Sequence, residues 1–129
     1  MATDFQRVER AYQNGKWKEI DFPKVGGFSN DVPNVHGVYI IKKGKSILYV
    51  GKTNRAQDGL RQRLTDHLYG RSSFRINYKG PKGKLDIRQC KIEYIKKRDH
   101  RIRALLEAYA TGMLCPKYIG TGERGEGDI

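Results

Sequence analysis

A chain of 129 residues fits one domain with a modest core. A formal net charge of +12 and a pI near 9.9 point to a polyanionic partner, nucleic acid before an anionic membrane surface. No apolar run approaches the ~20 residues of a bilayer span, and MATDFQRVER has no apolar core of a secretory leader, so no membrane is expected and a cytoplasmic protein is.

In chain order, residues 4–13 predict a short helix ending at Asn14-Gly15. Residues 16–35 read as irregular, punctuated by Pro23, Gly26, Gly27 and Pro33, with Trp17, Ile20, Phe22 and Phe28 covering a core. The run GVYIIKKGKSILYVG (37–51) predicts a hairpin, with Gly44 able to take a positive φ in its turn. After a polar loop, Leu60 to Tyr69 read as a helix with Leu60, Leu64 and Leu68 stacked at i, i+4, i+8, capped by Asp58. Residues 70–84 read as an exposed basic loop, and 85–95 as a third strand carrying Leu85, Ile87, Ile92 and Tyr94 inward. A helix from about Asp99 to Leu114 follows, with Ile102, Leu105, Leu106, Tyr109 and Met113 as its apolar stripe and Cys115-Pro116 ending it. The expected fold is a single α+β domain: a small antiparallel three-stranded sheet flanked by helices. Residues 1–35 are an N-terminal extension packing on the core, 36–119 the main module, and 120–129 a glycine-rich tail. Cys90 and Cys115 lack metal-ligand spacing and are expected as reduced, buried thiols.

Three features bear on chemistry. An odd-length hairpin loop would put Tyr39 and Tyr49 on one face, with their hydroxyls converging; ordinary strand tyrosines would look the same. Arg63 and His67, four apart, share a side of their helix at the rim of the leucine stripe. There a guanidinium could grip a phosphate, or merely snorkel. Glu107, among Ala104, Ala108 and Ala110, is either an i, i+4 partner of Arg103 or a hard oxygen ligand for Mg²⁺. Periodicity does not choose between these.

Taken together, GVY (37–39), YVGKT (49–53), LRQRL with a following His (60–67) and the alanine-rich helix bearing Glu107 resemble the GIY-YIG nuclease family over about residues 36–119. The segment running to Pro116-Lys117-Tyr118 is similar to the end of that module in nucleotide-excision-repair members. The resemblance implies roles. Tyr39 and Tyr49 match the two motif tyrosines, Gly37 and Gly51 the flanking glycines, Arg63 the helix arginine and Glu107 the metal glutamate. Lys52 matches a basic residue after the second motif, and His67 stands where members carry His or Tyr. Ile119 stands where many members have Asn. The implied activity is a metal-dependent DNA endonuclease using Mg²⁺ (or Mn²⁺) on Glu107, with 5′-phosphate and 3′-hydroxyl products. Tyr39 is the first choice of base and His67 the second, with Tyr49 orienting water or phosphate. A catalytically impaired binding module on the same fold, or an RNA-directed or structure-directed nuclease, are the alternatives. Duplex or branched DNA is the expected partner, gripped by Arg61, Arg71, Arg75, Lys79, Lys82 and Lys84, with Phe74 and Tyr78 available to stack on bases. Lys96, Lys97, Arg98, His100, Arg101 and Arg103 form a second basic cluster. Double-strand cleavage would call for a dimer or two successive cuts.

Overall fold

A computed structural model describes residues 2–54, 59–77 and 85–119. Helix α1 (Asp4–Asn14) begins at a capping box, in which the Thr3 hydroxyl accepts from Gln6 N while the Gln6 side chain accepts from Thr3 N. Strand β1 (Lys18–Asp21) follows, then the hairpin β2 (Gly37–Lys43) and β3 (Ser46–Lys52), with Gly44 in the turn at φ 59°. Helices α2 (Leu60–Leu68) and α3 (Ser73–Asn77), a 3-10 turn at Ile87–Gln89, strand β4 (Lys91–Lys96) and helix α4 (His100–Leu114) complete the chain. The protein is a single α+β domain on one antiparallel sheet, ordered β1-β4-β2-β3.

Four strands replace the expected three. The extra strand, KEID, lies at the sheet edge against β4 and turns only Ile20 inward, so it carries no alternating signal. It places part of residues 1–35 within the sheet, and Phe22 and Val32 within the core. Strand β4 is shorter than expected: Ile87 belongs to the 3-10 turn that precedes it. The presumed loop at 70–84 contains α3, whose Phe74 is buried. Residues 55–58 and 78–84, including Asp58, Tyr78, Lys79, Lys82 and Lys84, lie outside the described residues, as does the tail from 120.

Alternation of side chains gives the sheet two covered faces. One carries Tyr39, Ile41, Tyr49, Ile92 and Tyr94 beneath α2 and α3. The other carries Val38, Ile40, Val50 and Ile95 beneath α1 and α4. Register matters here. The hairpin turn has two residues, with Lys43 opposite Ser46, which alone would separate the tyrosines onto opposite faces. A bulge restores parity: Lys42 opposes Ile47 but Ile41 opposes Tyr49, leaving Leu48 unmatched. The tyrosines share a face because of that bulge and not because of an odd loop.

Helix α4 buries Ile102, Arg103, Leu106 and Ala110, whereas Met113, expected inside, is 56% exposed. The stripe is rotated because Arg103 is itself interior: its Nε donates to the Thr53 carbonyl and its Nη1 to those of Lys97 and Arg98. Helix α2 starts at Gly59, where a Cβ would collide with the Asn34 backbone; the Asn34 side-chain oxygen accepts from Gln62 N, supplying a cap from a distant loop. Both cysteines are free; Cys90 is buried, but Cys115 is exposed, because it takes the left-handed position (φ 47°) that ends α4. No helix among the described residues is long and apolar enough to cross a membrane.

Candidate active site

The open edge of β3 is where the two helical layers meet around the sheet. Arg63 reaches it from α2 on one face, Glu107 from α4 on the other, and Tyr49 and Lys52 from the strand itself. With Val50, Asn54, Thr111 and Ile119 they line a cleft of about 330 Å³. After α4 the chain returns to this edge, where Tyr118 bridges Tyr49 in parallel and Lys117 N and Tyr118 N donate to the Ile47 and Leu48 carbonyls.

Glu107 is half-buried and makes no ion pair among the described residues; the pairing with Arg103 considered above does not form, since Arg103 is turned to carbonyls. Burial raises the Glu107 carboxyl above the usual carboxylate range, opposed by the charges of Lys52 and Arg63. Arg63 has only a loose contact with Asp66 (3.9 Å), and its Nε is buried without a hydrogen-bond partner. The cleft therefore combines an acid outside any ion pair among the described residues with a loosely paired guanidinium.

Tyr39 lies behind the cleft, fully buried. Its phenol is 2.6 Å from His67 Nε2, and His67 Nδ1 is 2.7 Å from Ser72 Oγ. The Arg63 charge lies close enough to that phenol to oppose the rise in its pKa. Neutral His67 holds one ring proton; with Nδ1–H facing Ser72 Oγ, which also accepts from Arg75 N at 3.3 Å, Nε2 accepts from the Tyr39 phenol. His67 is thus interior, not at the rim: it is fully buried because both ring nitrogens are satisfied there. Burial, then the charges of Arg63 and Arg75, push its pKa down to about 3, so it is neutral. Burial likewise raises the Tyr39 phenol, with Tyr49 adding to the shift and Arg63 opposing it. The Tyr49 phenol is raised by burial and by Glu107.

The rings form one cluster, with Tyr39 and Tyr49 centroids 6.3 Å apart and Phe74 stacked on Tyr49 at 4.8 Å. Phe74 is therefore a core ring and not a platform for bases. Gly51 faces Tyr39 across the hairpin because nothing larger fits: a Cβ there would lie 2.5 Å from the Tyr39 hydroxyl oxygen and 2.8 Å from Tyr49 Cε2. Gly51→Ala should cost about 1–3 kcal/mol in denaturant unfolding, since two packed rings must move. Gly37 is pressed against the Ile95 backbone, and its N–H donates to Thr53 Oγ1.

Of the expected DNA-gripping residues, Arg61 donates to the Val32 carbonyl and Arg75 to those of His67 and Leu68 at the end of α2, so both act structurally. Arg71 is exposed, pairs with Asp66 and lies over the Tyr69 ring. Ser72, Asn54 and Thr111 were not anticipated. Ser72 sits in a polar stretch with no periodic signal, and the other two become neighbours only when β3 and α4 pack. Among the described residues there is no group of three or more His, Cys, Asp or Glu side chains placed to hold a metal; Glu107 is the one carboxylate on the cleft. Comparison with protein-family models, curated proteins and solved structures finds no match for the chain.

Proposed function

We propose that the chain is a cytoplasmic, metal-dependent DNA endonuclease of GIY-YIG type, built on residues 36–119. The supporting observation is the convergence of Tyr49, Arg63 and Glu107, from three separate elements, on one phosphate-sized cleft in which neither acid nor guanidinium is locked into a strong ion pair. A single carboxylate suits Mg²⁺, which keeps most of its waters and takes phosphate oxygens as further ligands; Glu107 would hold it. The ion would supply Lewis acidity toward the phosphate and the leaving 3′ oxygen.

The chain's own residues do the rest. Arg63 grips a non-bridging phosphate oxygen by two parallel hydrogen bonds and neutralises charge that grows in the transition state. Tyr39 is the base that the resemblance implies: as water attacks phosphorus, its proton passes to the Tyr39 oxygen as phenolate, whose charge Arg63 favours, while His67, held neutral, positions the phenol. Burial and Tyr49 oppose that phenolate, so its formation depends on Arg63 and on the charge a bound ion would add. The P–O3′ bond breaks, leaving a 5′-phosphate and a 3′-hydroxyl protonated from solvent. Tyr49, on the cleft wall, orients the water, and Lys52 adds positive charge.

Supercoiled plasmid incubated with the protein and Mg²⁺ should be nicked, with 5′-phosphate and 3′-hydroxyl ends on mapping, and EDTA should stop it. A second reading is favoured by Ile119, an exposed apolar side chain on the cleft where the resemblance implies an amide. In that reading the chain binds nucleic acid without cutting. Absence of nicking on plasmid, branched and damaged DNA, together with retained binding, would select it.

A further inference from the structure

A second concavity, about 710 Å³, lies between the outer face of α1 and the turn that joins β4 to α4. Arg7, Arg10, Lys96, Lys97 and Arg98 line it. None of these five is in an ion pair among the described residues. Asp4 is committed to Arg101 at 2.8 Å, and Asp99 caps α4 by accepting from Ile102 N at 2.9 Å. Elsewhere on the surface Lys42 and Lys91 are matched to carboxylates. Among the described residues Asp99 is the one acid on the concavity, so its five cations outnumber acids by four and raise the local potential, which a polyanion relieves.

The concavity shares a wall with the candidate active site. The buried Arg103 guanidinium touches Thr53, one residue from Asn54 on the site's cleft, and also Lys97 and Arg98 on the basic one. An extended polyanion crossing the open edge of β3 would be carried onto these cations, whereas a small anion would use only one or two of them. Duplex DNA presents phosphates about every 3.4 Å along each strand, a spacing several side chains can follow together.

We infer that this basic cleft holds the sugar-phosphate backbone of duplex DNA beside the cut site, independently of base sequence. The choice of DNA as occupant rests on the nuclease reading; the presence of a polyanion site rests on the cleft. The N-terminal helix is then part of the binding surface, a role that the motif-bearing segment cannot fill alone.

The test is binding of the full chain to a short DNA duplex in EDTA, from about 50 to 200 mM salt. The triple variant Arg7→Gln/Arg10→Gln/Arg98→Gln should flatten the slope of log affinity against log salt by about 2 to 3, as expected for three lost phosphate contacts. The charge-keeping triple variant to Lys should retain the native slope, which separates lost charge from lost structure. A triple Gln variant with the native slope overturns the inference, and so does a native chain that fails to bind duplex. Binding that depends on the cleft without any cutting would sink the nuclease reading and leave the cleft standing. Cutting with a slope indifferent to the cleft would do the reverse.

Discussion

Glu107→Gln should lower the nicking rate by about three orders of magnitude or more while leaving the fold intact. A metal acting as Lewis acid contributes several kcal/mol to the transition state, and each 1.36 kcal/mol is about tenfold in rate. Glutamine keeps the size of the side chain and removes the charge that would hold the ion. The accompanying stability change has a definite sign. Burial raises the Glu107 carboxyl, so the folded protein binds more protons there than the unfolded chain, and stability falls as the pH rises through the raised value. In metal-free buffer the variant should therefore melt no lower than the native protein at neutral pH, and any advantage should shrink on acidification. Added Mg²⁺ should raise the native melting temperature and leave the variant's unmoved. A variant that cuts at the native rate would remove Glu107 from the reaction.

Tyr39→Phe should reduce nicking by about 10²- to 10⁴-fold, the range a positioned proton acceptor supplies. It removes one oxygen and preserves the ring packed against Tyr49. His67→Gln should cost less, because His67 stays neutral and contributes the hydrogen bond that positions the phenol. His67 is sealed from solvent and bonded through both nitrogens, so it has no direct path to a water. A near-native Tyr39→Phe would therefore overturn the whole Tyr39–His67 assignment and leave Tyr49 as the phenol to test. The same histidine predicts acid sensitivity. The folded state keeps it neutral down to about 3, while the unfolded chain protonates near 6.5. The unfolded state then binds more protons across that window, and stability is lost as the pH falls through it. His67→Gln should flatten that part of a pH–stability curve.

What could be read beforehand follows the range of the forces involved. The hairpin was legible because Val-Tyr-Ile-Ile and Ile-Leu-Tyr-Val are local strand formers around a glycine that reaches positive φ. Helix α4 was legible through Asp99 and its spaced aliphatics. The edge strand β1 was not, since four residues with one inward side chain carry no period. Nor was the inward turn of Arg103, whose partner carbonyls come from the end of β3 and the turn after β4. The ambiguity over Glu107 came from the same source: once Arg103 is drawn inside, its helical neighbour is left free to face the cleft. His67 looked peripheral because its place beside the leucine stripe is a rim position by period alone. Tyr39 and Ser72, distant in sequence on one side and loop-borne on the other, make it interior. The meeting of residues 49, 63 and 107 on one cleft is tertiary, and only the motif resemblance anticipated it; Tyr39, expected with them, is buried behind the cleft.

The unmatched Leu48 sets a rule for how this hairpin can vary in length. Deleting or inserting one residue between the turn and Tyr49 would shift the pairing by one and exchange the faces of everything after it. Tyr49 would then turn toward α4, and Val50 would enter the ring cluster in its place. Changes by two residues, or by one residue with the bulge removed at the same time, would leave the phenols side by side. Length variation here is therefore quantised in pairs as long as the bulge is kept, although the loop tip is exposed and constrained only at Gly44.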